Sequence, residues 1–153
     1  MKRDLPNLAE NAIEARRISL EHERIEALYA EVSRAIVRGE RARVQASFDR
    51  YHAALEAHIS FEEDVCFDTL RQLHPGLGME LTSLSREHAR FREDLGDVRK
   101  RINSGDLEAA VARFDQLATS IADHDRREEA LLARIRGGLP GPRPRTAIRT
   151  VAG

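Results

Sequence analysis

His58 and Glu62 stand four residues apart in the middle of a helical pattern, and on a helix that spacing puts both side chains on one face, about 40° apart. The face is the wrong one for polar groups. Val44, Phe48, Tyr51, Leu55, His58, Glu62, Val65 and Thr69 follow a three-four spacing, so the histidine and the glutamate are expected to point inward with the apolar residues. Burying an unpaired carboxylate costs several kcal/mol, and such groups persist when they are paired or bind a metal. The rest of the chain repeats the anomaly.

Four helical segments can be traced. The first runs from about Leu8 to Arg38 with the stripe Ile18, His22, Ile25, Tyr29, Val32 and Ile36, and Gly39 supplies a left-handed stop. The second runs from about Glu40 to Leu73, where His74-Pro75-Gly76 forces a turn. The third covers roughly Gly78 to Ile102, with Leu81, Leu84, His88, Phe91, Leu95, Val98 and Ile102 on its inner face. After the breaker Asn103-Ser104-Gly105, Asp106 can cap a fourth helix carrying Leu107, Val111, Phe114, Leu117, Ile121, His124, Glu128, Leu131 and Ile135. No strand pattern competes. Long helices with short turns predict an all-α fold, an antiparallel up-down-up-down four-helix bundle over residues 1–136. From Gly137 onward Gly, Pro and Arg dominate, and residues 137–153 read as a flexible, disordered tail.

Each stripe contains one histidine, and the second and fourth add a glutamate four residues later. Loop positions fix their heights. His22 lies 17 residues before Gly39 and His58 lies 19 after it; Glu62 and His88 lie 14 before and 12 after Gly76; His88 and His124 lie 17 before and 19 after Gly105. At ~1.5 Å per residue the mismatches are less than one helical turn. His22, His58, Glu62, His88, His124 and Glu128 are therefore expected in one layer of the core. Four imidazoles and two carboxylates suit one or two transition-metal ions: imidazole takes iron, zinc, copper or nickel, and bridging carboxylates are typical of paired iron or manganese. Two ions, each with two terminal histidines and both glutamates as bridges, would use every ligand and leave positions open for solvent or a small gas.

Composition removes other classes. A formal net charge of −1 offers no basic field for nucleic acid or an anionic membrane. The lone Cys66 excludes an internal disulfide and a cysteine-based zinc or iron-sulfur site. The first residues lack the apolar run of a signal peptide and no stretch reaches membrane-spanning length, so the expectation is a cytoplasmic protein.

Glu21-His22, His58-x-x-x-Glu62-Glu63, Glu87-His88 and His124-x-x-x-Glu128-Glu129 together resemble the hemerythrin-like (HHE cation-binding) family over about residues 15–136. The resemblance implies a non-haem di-iron centre, two iron ions joined by an oxo or hydroxo bridge, with manganese or zinc as alternatives. It implies binding or reduction of O2, nitric oxide or peroxide. The alternative is an iron or oxygen sensor, or an iron-handling module, acting through a partner protein. An electron donor or a regulatory protein is the macromolecular partner to expect. In the oxygen carriers of that family a second histidine follows the third-helix ligand by four residues, where this chain has Arg92. The carriers also take the fourth-helix carboxylate one position later, at Glu129, whereas periodicity favours Glu128. The set here resembles relatives used in iron-sulfur repair, nitric oxide response or iron sensing.

Other polar residues have plainer readings. Arg92 either snorkels to water or reaches toward the centre. Tyr29 and Tyr51 read as core residues with hydroxyls at a wet edge. Cys66 reads as a small core residue, and His52 faces away from His58. Glu21, Glu87 and Glu129 are positioned to orient ligand histidines, although most glutamates on such helices serve only solubility.

Overall fold

The computed structural model describes residues 8–138, with side chains from residue 14 onward; the lead-in expected over residues 1–7 and the tail beyond Gly138 lie outside the described residues. All the regular structure among them is helical. Helix α1 spans Leu8–Val37, α2 Arg41–Phe61, α3 Asp68–Leu73, α4 Gly78–Ser104 and α5 Leu107–Arg136. A π-helical segment, Glu62–Phe67, joins α2 to α3, and its flanking residues keep right-handed helical dihedrals, so α2, this segment and α3 form one rod.

The turns follow from residue chemistry. Gly39 and Gly105 adopt φ of +67° and +81°, a left-handed conformation costly to any residue with a Cβ. At Gly105 a Cβ would also meet the Arg41 guanidinium at 2.6 Å. Pro75 starts a single 3-10 turn that ends the second rod. Asp106 caps α5, its Oδ1 accepting the amide of Ala109 at 3.1 Å.

Neighbouring rods are tied by ion pairs in opposite numerical order. Glu31 meets Arg50 while Glu21 meets His58, and Asp94 meets Arg113 while Glu80 meets Arg134. The inner faces form two apolar clusters. One contains Ile25, Val32, Phe48, Tyr51, Phe91, Leu95 and Phe114; the other contains Ile18, Cys66, Phe67, Leu81, Leu84 and Leu131. Between them lies the layer of four histidines and two glutamates, each buried.

The stripes of α1, α4 and α5 face inward as expected from their spacing. The second rod departs from its pattern. Val65, expected inside, is 42% exposed and Thr69 is only half-buried, while Cys66, Phe67 and Leu70 are buried. The cause is the π-helical segment. Its i→i+5 pairing makes a wider turn and shifts the inward register beyond Glu62, a distortion common at functional sites.

Candidate metal centre

The structure brings together the six residues that the stripes single out. His22 comes from α1, His58 from α2, Glu62 from the first π-helical position, His88 from α4, and His124 and Glu128 from α5. They form two tetrads, His22-His58-Glu62-Glu128 and Glu62-His88-His124-Glu128, and within each the ligand atoms lie within 4.8 Å of one another. The two glutamates are common to both.

Each shared carboxylate divides its oxygens between the tetrads. Glu62 Oε1 contacts His58 Nε2 and lies 3.6 Å from His22 Nε2, while its Oε2 is 2.9 Å from His88 Nε2 and 3.9 Å from His124 Nε2. Glu128 Oε1 is 3.5 Å from His22 Nε2 and its Oε2 is 3.7 Å from His124 Nε2. Glu62 is 0% and Glu128 1% exposed. Close as these contacts are, none gives either carboxylate a well-aligned hydrogen bond, and the Nε2 atoms of His22 and His58 likewise lack one. Four oxygens and two nitrogens buried without a well-aligned partner call for a positive charge between them, since buried polar groups are normally satisfied. A pair of cations would satisfy them, so the donor set fits a dinuclear metal site.

The electrostatics carry the same demand for positive charge. Burial pushes the His22 imidazole down, but Glu128 and Glu62 outweigh it and raise it to about 11. His124 responds in the same way, burial opposed by Glu128 and Glu62, and rises to about 10. Burial pushes Glu62 up, yet His124, His22, His58 and His88 hold it well below the usual carboxylate range.

The outer nitrogen of every histidine is clasped by a carboxylate from the neighbouring rod. His58 Nδ1 meets Glu21 Oε2 at 2.6 Å, His88 Nδ1 meets Glu63 Oε1 at 2.9 Å, His124 Nδ1 meets Glu87 Oε2 at 2.7 Å, and His22 Nδ1 meets Glu129 Oε1 at 3.1 Å. The clasps form a closed ring: α1 holds α2, the second rod holds α4, α4 holds α5, and α5 holds α1. A carboxylate on Nδ1 fixes the tautomer that leaves Nε2 free to bind metal, and raises its basicity. The spacing pointed to Glu21, Glu87 and Glu129. It passed over Glu63, which adjoins the inward-facing Glu62 much as Glu21, Glu87 and Glu129 adjoin His22, His88 and Glu128. Glu63→Gln is expected to weaken metal binding roughly 10–100-fold while the fold persists, measured by competition with a chelator; wild-type affinity would remove the clasp from this account.

Other residues fall outside the layer. Glu129 lies on the rim, so the inward carboxylate of α5 is Glu128. Arg92 turns outward, its Nε donating to Glu56 Oε1 at 2.8 Å and its Nη1 lying 3.7 Å from Glu63. It touches the clasp and not the ligands. Tyr51 is buried; Tyr29 is half-buried and donates its hydroxyl to Asp115. Cys66 is buried, which pushes its thiol up to about 12 and leaves it protonated. His52 is half-buried, 2.9 Å from Arg99 Nη2. Sequence reasoning did not single out Asp125, whose Oδ1 stands 3.3 Å from His22 Nε2.

No helix among the described residues is long and apolar enough to cross a membrane. Comparison with protein families matches residues 15–135 to the hemerythrin HHE cation binding domain. No curated protein and no solved structure matches the chain.

Proposed function

The chain belongs to the hemerythrin HHE cation-binding family, and from that premise we propose that it is a non-haem di-iron protein that binds or reduces O2, nitric oxide or peroxide. One observation carries the reading: Glu62 and Glu128 each present one oxygen to each histidine pair, the arrangement two bridging carboxylates require. His22 and His58 would hold one ion, and His88 and His124 the other. The ion-pair order between neighbouring rods supports an up-down-up-down bundle around them.

When bound, a pair of iron ions supplies two adjacent redox centres with positions open to a small ligand. The chain's own residues supply the setting. The ring of Glu21, Glu63, Glu87 and Glu129 orients the imidazoles. Phe67, stacked 5.7 Å from the His88 ring, and Phe91, 5.2 Å from His124, exclude water from that half of the layer. Dry surroundings strengthen each charge interaction inside them. Arg92 stands where the oxygen carriers have a further histidine, and it points to the surface. That favours redox reaction or sensing over reversible oxygen carriage.

Nitric oxide added anaerobically to ferrous-loaded protein is expected to give a saturable visible absorption change that zinc-loaded protein lacks. Absence of any change would overturn the reading. Steady consumption of peroxide or nitric oxide with a reductant separates turnover from the sensor alternative, which predicts ligand binding without turnover.

A further inference from the structure

The four sides of the centre are not equivalent. On three of them an arginine covers the clasp. Arg17 Nε meets Glu21 at 3.1 Å and its guanidinium lies 3.7 Å from the Phe61 ring centre; Arg92 reaches Glu63; Arg127 Nη2 holds both oxygens of Glu87 at 2.6 and 2.7 Å. On these sides the charge of the clasp is already balanced, so no clasp carboxylate is left free to draw in a cation. On the fourth side, between α1 and α5, Glu129 is 46% exposed and among the described residues makes no ion pair with an arginine. A cleft of about 640 Å³ opens there.

The cleft is acidic. Glu23, Glu26, Asp115, Asp125 and Glu129 line it, and its one basic side chain apart from His22 is Arg126, which pairs with Asp123 on its own helix. At its inner wall stands His22, 8% exposed, with Nε2 lacking a hydrogen-bond partner. Asp125, 21% exposed, bridges the two environments: its Oδ1 is 3.3 Å from His22 Nε2, which in turn lies 3.5 Å from Glu128 Oε1.

We propose that the α1–α5 cleft is the path by which divalent cations reach the centre, and that Asp125 is the carboxylate that passes each ion to His22. The inference rests on the metal-binding reading above. Along the path a hydrated cation exchanges waters for carboxylate oxygens and then for imidazole nitrogen, with no electron transferred. The acids of the outer cleft concentrate cations at its mouth, and Asp125 lowers the cost of desolvation where the walls close. Such focusing can raise association rates about 10- to 1000-fold and weakens with salt.

The test is the loading rate of chelator-stripped full-length protein with Co(II), followed by stopped-flow absorbance, together with the final cobalt content. Asp125→Asn and the double variant Glu23→Lys/Glu26→Lys are each expected to load roughly tenfold or more slowly, with the same final cobalt per chain as wild type. The double variant should also flatten the salt dependence. Asp68→Lys/Glu93→Lys makes the same charge change at exposed positions on α3 and α4, outside the cleft, and should load at close to the wild-type rate. Wild-type rates in the cleft double variant, or equal slowing in the control pair, would overturn the path. A lower final cobalt content in Asp125→Asn would make Asp125 a resident ligand and overturn its role as a relay. Wild-type protein that takes up no cobalt would defeat the metal reading itself, and the path with it.

Discussion

Glu62→Gln is expected to abolish stable binding of both ions, not one, under conditions that saturate the wild-type protein. Glu62 contacts the Nε2 atoms of all four histidines and is fully buried. The substitution keeps the side chain's shape but removes the charge and one acceptor oxygen. A neutral amide cannot bridge two cations, and each tetrad drops from two carboxylates to one. The loss should exceed the roughly 10–100-fold that follows when only a histidine's outer partner is removed. Far-ultraviolet circular dichroism and metal content, measured on one sample, check this. A folded Glu62→Gln protein with full metal content would show that Glu62 is not a bridge.

Stripping the metal from the wild-type chain is expected to lower its melting temperature by about 10 °C or more. A ligand present at a thousand times its Kd stabilises by about 4 kcal/mol, and in a chain of this size each kcal/mol shifts the midpoint by about 2–4 °C. The stripped protein still has a means of neutralising its core, because His22, raised to about 11, and His124, raised to about 10, hold protons against Glu128 and Glu62. That contribution is complete below the ordinary histidine range and is lost as pH rises through about 10 to 11. Metal-bound imidazoles gain nothing from protonation, so the gap between loaded and stripped protein should widen over that window. Equal midpoints at all pH values would contradict this.

Much of the buried polar layer was legible because its residues sit where they should not. A histidine breaks each apolar stripe, two glutamates follow a helical turn later, and the loop positions put all six at one height. The caps at Gly39, Gly105 and Asp106 were equally plain, since each is a local rule of backbone chemistry. Long-range geometry was harder to read. The π-helical turn at Glu62–Phe67 depends on how the second rod packs, and it moves Val65 out and Phe67 in without a local mark in the sequence. Glu63 was passed over for a related reason: which histidine it reaches depends on which rod lies beside it. The doubled patterns Glu21-His22 with Glu87-His88, and Glu62-Glu63 with Glu128-Glu129, held the signal. Each pairs an inward ligand with an acid one step around the helix, placed to touch the neighbouring rod. Asp125 had no such mark, because its importance comes from the gap between α1 and α5.

The most direct test of the shared-carboxylate centre is anomalous diffraction from crystals of the iron-loaded protein, collected on both sides of the iron edge. Two iron peaks within about 4 Å of one another are expected, one beside His22 and His58 and the other beside His88 and His124, with Glu62 and Glu128 spanning both. A single peak, or two peaks that do not share these glutamates, would contradict the account.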